Sequence, residues 1–235
     1  VGAAEIAFRL PRSHAGQGDA EISLSVPDRT VGGTMEFRRF RSHDEWSSQP
    51  LERREDVLIA RIPHQPPAGK VMYRVLLGKD GAEPVALTSE PVIIRFRGDV
   101  PAFVLILHIL LMFAAMLLST RTGLEALFKR PQVYKLTLWT VVLLFLGGMI
   151  GGPMVQKYAF GTFWTGWPLG HDLTDNKTAV ALLLWLVALW RIRRKPAARW
   201  WALAASLVLL TIYLIPHSTL GSELDYTQMP QDPAT

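Results

Sequence analysis

Four long apolar runs follow residue 100, and they limit what this chain can fold into more than any other feature. A helix needs about 20 mostly apolar residues to cross about 30 Å of hydrocarbon. Residues 101–120, 136–154, 178–190 and 200–215 meet that need, the third only if Asn176, Lys177 and Ile192 lie at its interfaces. Buried helices of a soluble domain would be apolar on one face, whereas these runs are apolar all round. A single soluble domain is therefore excluded, and four membrane spans are expected.

Charge divides the chain at the same place. Residues 1–99 hold 14 basic and 14 acidic side chains out of totals of 25 and 20, so the +5 net charge belongs to the second part. That surplus lies between apolar runs, which points to a membrane orientation signal and not to nucleic acid. The first connection carries Arg121, Lys129, Arg130 and Lys135, and the third carries Arg191, Arg193, Arg194, Lys195 and Arg199. Only Glu125 opposes them. Basic loops stay in the cytoplasm. Residues 1–99, the central loop near 155–177 and the tail 218–235 are then expected outside, in a bacterial periplasm, with 100–217 as the membrane domain. Export of residues 1–99 calls for a leader before Val1, and Val1 in place of a cysteine argues against a lipoprotein anchor.

The first 99 residues read as β. Alternation marks 21–26, 34–40, 57–62, 71–77 and 91–97. Pro27-Asp28, Gly32-Gly33, 66–69 and 79–81 look like turns. The expected fold is an all-β immunoglobulin-like sandwich followed by an all-α four-helix transmembrane bundle. Arg38, Arg39, Arg41, Arg53 and Arg54, balanced by nearby acids, read as a solvated face. His14, His43 and His64 fall in expected loops without ligand spacing.

The chemistry-bearing residues gather toward the outer face. His108 lies about seven residues into the first span, and ionisable groups at such depth carry a functional expectation. His217 follows the fourth span. Between them lies a loop with Trp164, Trp167, His171, Asp172, Asp175 and Asn176. His108 and His217 with the two tryptophans suit haem b, by axial ligation and ring stacking. His171 with Asp172 and Asp175 suits zinc or copper instead. A histidine and a carboxylate near the interface also suit a quinone. The plainer reading makes the tryptophans interfacial anchors and the acids caps for the third span, with Asp175 best placed as N-cap. Gly147, Gly148, Gly151 and Gly152 form two overlapping small-xxx-small pairs, suited to helix packing, a dimer contact or the approach of a flat cofactor. Pro153 is expected to end or bend that helix.

The chain contains no cysteine, which excludes thiolate metal sites, disulfides and covalent c-type haem. No Gly-x-Ser-x-Gly elbow or phosphate-binding glycine loop is present, so no enzyme class is implied. The remaining alternative is an accessory subunit whose exported domain docks other membrane or exported subunits.

Three resemblances add to this. Residues 62–75 resemble the strand-turn-strand of immunoglobulin-like and fibronectin-type-III-like bacterial domains. Ala159-Phe160-Gly161 followed by Trp164 and Trp167 resembles the tryptophan-rich haem-handling loop of cytochrome c assembly proteins, which implies haem at the outer face between flanking histidines. This chain departs from that loop at residues 168–176 and has fewer spans. The whole chain resembles bacterial four-span membrane proteins with an exported immunoglobulin-like domain, which implies an architecture and no activity.

Overall fold

A computed structural model describes residues 8–79, 82–215 and 224–228. The chain forms two compact units. Residues up to Asp99, joined by those from Glu223 onward, make one, and Val100–Ser222 makes the other.

The first unit is a β-sandwich. Its strands are β1 (Ser13–Ala15), β2 (Ala20–Ser25), β3 (Val31–Arg39), β4 (Ser47–Pro50), β5 (Glu52–Arg54), β6 (Val57–Ile62), β7 (Lys70–Lys79), β8 (Val85–Ala86) and β9 (Val92–Arg97). One sheet runs β1-β9-β7-β3-β4 with β8 added to β7, and the other runs β2-β6-β5. The two inner faces come from period-two alternation. Ala20, Ile22 and Leu24 meet Val71, Tyr73, Val75 and Leu77, with Ile94 and Phe96 beside them, all essentially inaccessible. The five alternating segments found in the sequence all contribute strands. The short β1, β4, β5 and β8 have too few residues to show a period.

Gly32-Gly33 is not a turn. Both glycines lie inside β3, opposite Gly78 and Leu77. Leu51 and Leu77 crowd Gly33 so closely that any side chain there would collide with them. The arginines are not a uniformly solvated face either. Arg53 donates to the carbonyls of Val26, Asp28 and Val31 at 2.8, 3.2 and 2.5 Å and so holds the β2–β3 turn. Arg39 binds Asp44 through two hydrogen bonds of 2.6 and 2.8 Å.

The C-terminal segment completes this unit. Leu224 N–H donates to the Ala68 carbonyl at 3.3 Å. Tyr226 is buried, its hydroxyl donates to Gln65 Oε1 at 3.0 Å, and the Arg39 guanidinium lies 4.9 Å from its ring centre. Burial pushes the Tyr226 hydroxyl up to about 12.

The second unit holds four helices long and apolar enough to cross a membrane: Ala102–Leu127, Val133–Phe160, Leu173–Arg194 and Pro196–Leu214. The chain is thus built as an integral membrane protein. The first span packs against the second and fourth, and the third packs against the same two. Small residues let the backbones approach. Ser206 Oγ donates to the Ser119 carbonyl at 2.9 Å, and a Cβ on Gly123 would sit 2.7 Å from that hydroxyl. The Tyr213 hydroxyl reaches the Met112 carbonyl at 2.7 Å. The first span has a mean hydropathy of 2.6 with 17% of its window buried, against 1.2 and 33% for the third. The span facing outward most is the most apolar, as a hydrocarbon surrounding requires.

The second span continues through Pro153 to Phe160. Residues Phe145–Gly151 form a π-helical turn, and Pro153 enters the first turn of the α-helical part that follows. A proline there gives up no needed hydrogen bond. The helix stops instead at Gly161, whose φ of 81° lies in the left-handed region, with its N–H on the Lys157 carbonyl at 3.0 Å.

Candidate functional site

Two arrangements occupy the expected outer end of the bundle. The first centres on His108. Its ring is half-buried, and its Nδ1 lies 2.9 Å from the Gly147 carbonyl oxygen. A carbonyl only accepts, so Nδ1 carries the proton, and the tautomer this selects has its lone pair on Nε2. The π-helical turn and its glycines make this seat. Gly147 O also accepts from Gly152 N–H. A Cβ on Gly151 would come within 3.3 Å of Nδ1, and one on Gly152 within 3.8 Å of Cε1. Gly147 faces Leu111 and Met112, and a Cβ on Gly148 would lie 2.7 Å from Thr178 Cγ2. The glycine stripe therefore lies against the first and third spans of its own bundle. The expected second ligand, His217, lies outside the described residues.

The second arrangement is the loop between the second and third spans. Asp175 is buried and gathers the loop around one carboxylate oxygen. Its Oδ2 accepts from Thr165 N at 2.7 Å, Gly166 N at 3.0 Å and Thr165 Oγ1 at 3.3 Å. Gln156 Nε2 donates to Thr165 Oγ1 at 2.6 Å, tying the second span to the same point. Asn176 Oδ1 accepts from Trp167 N at 2.6 Å. Asp172 Oδ1 accepts from Thr174 N at 2.8 Å and Asp175 N at 3.4 Å, and the Asp172 N–H returns to the Thr165 carbonyl at 2.9 Å.

The N-cap of the third span is thus Asp172, not Asp175. The helix begins at Leu173, so the free amides of its first turn lie within reach of residue 172. Asp175 sits inside that first turn and faces the loop instead. Lys177 is buried and donates from Nζ to the Ile215 carbonyl at 3.0 Å, satisfying the end of the fourth helix.

The tryptophans differ. Trp164 is half-buried with Nε1 donating to the Trp167 carbonyl at 3.2 Å, while Trp167 is 76% exposed. Phe163 and Leu169 are exposed beside it. His171 is exposed. Among the described residues, no group of three or more His, Cys, Asp or Glu side chains is disposed to hold a metal ion. In the sandwich, His14 and His64 converge on the Gly18 carbonyl at 2.9 and 3.2 Å, both edge-on to Phe96.

Sequence reasoning placed Gln156, Thr165 and Lys177 in the loop without singling out their bonding roles, and it missed Tyr226 as a docking residue. It also took Glu125 for a loop charge. The first helix runs on to Leu127, and Glu125 is only 6% exposed within it. A lone acid between basic residues was the available signal.

No protein-family model matches the chain, and a search of curated proteins finds no relative.

Proposed function

We propose that this chain is a non-catalytic subunit of a larger assembly in a bacterial cytoplasmic membrane, with its sandwich and C-terminal segment outside. The observation that carries this reading is the outer loop. Asp172, Asp175 and Asn176, the groups that acid–base or metal chemistry would use, are engaged with backbone amides. What the loop offers outward is a fixed apolar rim of Phe163, Trp167 and Leu169, which are 58%, 76% and 78% exposed. A rigid loop with aromatic and aliphatic tips is suited to contact, because little ordering entropy remains to be lost on binding. The orientation rests on the basic loops. It is supported by residues 224–228 lying on the sandwich: an even number of crossings brings both flanks of the bundle to one side.

The test is the size of the native particle. Membranes extracted in mild detergent should give the chain in a species larger than itself, and a Trp167→Ala/Leu169→Ala variant should shift toward the free chain. Native protein migrating alone overturns the reading.

His108 favours a second reading, in which the same subunit binds haem b. The Gly147 carbonyl fixes the tautomer that leaves Nε2 free, as the hydrogen-bond acceptors behind metal-ligating histidines do. Haem bound there would supply one-electron chemistry, and His108 would hold its iron. Oxidised and reduced absorption spectra of the purified chain test this. A Soret band lost in His108→Ala supports it, and full cofactor retention in that variant ends it.

A further inference from the structure

The opposite, basic end of the first span carries a second built feature. Glu125 Oε1 accepts from Arg121 Nε at 3.1 Å and Nη2 at 2.7 Å, one turn apart on the same helix. Glu125 Oε2 is buried without a hydrogen-bond partner among the described residues. The helix then closes in a Schellman turn. Lys129 takes a left-handed φ of 57°, and Arg130 N–H donates to the Glu125 carbonyl at 2.9 Å. Pro131 follows and prevents continuation.

These two local devices place Arg121 and Arg130 on one open cleft of about 380 Å³, lined also by Leu124, Glu125 and Phe128. Arg121 and Arg130 are exposed, and Arg130 has no side-chain partner among the described residues. Leu124 and Phe128 are 48% and 66% exposed.

We propose that this cleft binds the phosphodiester headgroup of an anionic phospholipid. Arg121 and Arg130 take the phosphate, Leu124 and Phe128 meet the acyl chains, and Glu125 is a positioning residue that holds Arg121. Charge decides the headgroup. Two guanidinium groups face one carboxylate that is already engaged, and the helix C-terminus adds only about half a negative charge. Lys129 and Lys135 flank the site without a further acid. A zwitterionic headgroup would bring its own cation into that excess, whereas an anionic one relieves it. The apolar wall decides for a lipid over a free anion, since inorganic phosphate would leave Leu124 and Phe128 uncovered. The proposal rests on the helices spanning a bilayer and is independent of the subunit reading above.

Native mass spectrometry of the delipidated full-length chain tests it. The chain is titrated with phosphatidylglycerol, phosphatidylcholine and inorganic phosphate. Phosphatidylglycerol should bind in preference to phosphatidylcholine. Arg121→Gln and Arg130→Gln should each weaken it roughly fivefold, the effect of one basic residue near a lipid surface. Arg193→Gln/Arg194→Gln removes two charges, one more than either single variant, from the other basic segment and should leave this binding unchanged. Equal losses in that control would reduce the effect to diffuse charge and overturn the site. So would equal affinity for phosphatidylcholine, or inorganic phosphate binding as well as the lipid. Thermal unfolding of each variant checks the fold: Arg121→Gln removes the partner of the buried Glu125 carboxylate and should lower the midpoint somewhat, whereas Arg130→Gln should not.

Discussion

The two ends of the helical bundle treat their buried acids differently. At the loop end, Asp175 accepts three hydrogen bonds on one oxygen, all from residues 165 and 166. At the basic end, among the described residues, Glu125 accepts only from Arg121, on Oε1, and leaves Oε2 without a partner. A buried polar group that is fully satisfied by backbone fixes a shape. One that is half satisfied fixes less, and here it is the exposed arginine beside it, Arg130, that has capacity left for an anion from outside the chain. The comparison separates a structural acid from the acid at the proposed lipid cleft, although the sequence shows both only as carboxylates near a span.

The largest expected effect is Asp175→Ala. It leaves the amides of Thr165 and Gly166 without acceptors, at a cost of about 2–4 kcal/mol. A lowered thermal midpoint in detergent and new proteolysis within residues 161–172 would show it, and an unchanged midpoint would break the contrast. Next is Gly148→Ala, which sets a Cβ against the stiff Thr178 side chain and should cost about 1–3 kcal/mol by overpacking. The same thermal measurement checks it. Glu125→Gln should be milder, under about 1 kcal/mol, because Arg121 is largely exposed and the new amide still offers an oxygen. A loss as large as that of Asp175→Ala would mean that Glu125 is structural after all.

The smallest effect concerns an acid in the sandwich. The two Arg39 hydrogen bonds hold the Asp44 carboxyl below the usual carboxylate range. Its stabilising contribution is therefore present above about pH 4, the unfolded value, and is lost as pH falls through the depressed one. Amide protection near Asp44 and Tyr226 in the full chain, taken relative to the intrinsic exchange rate at each pH, should fall as pH drops below about 4, and Asp44→Asn should flatten that dependence.

Much of the architecture was legible because its signals are local. Length and uniform apolarity give the spans, and alternation gives the strands that turn Ile22, Leu24, Val71, Val75, Ile94 and Phe96 inward. The boundaries were not legible. Pro153 reads as a stop, yet the π-helical turn before it lets the helix continue. Gly32-Gly33 reads as a turn, yet close packing against Leu51 and Leu77 requires glycine within the strand. The site was partly legible. The sequence singled out Asp172, Asp175 and His108, but it could not assign their partners. Asp175 finds its amides ten residues earlier, His108 its carbonyl 39 residues later, and Tyr226 its amide oxygen 161 residues earlier.

The sequence by itself determined that this chain carries four helices long and apolar enough to cross a bilayer, with a sandwich before the first of them. Burial of apolar surface depends on residue type and period, and both can be read along the chain. Only the tertiary structure decided which polar groups are satisfied. A hydrogen bond needs two groups within about 3 Å, and that distance is set by which backbones pack together. That is why Asp172 and not Asp175 is the cap, why Nε2 of His108 is the free nitrogen, and why Glu125 lies buried beside a cleft.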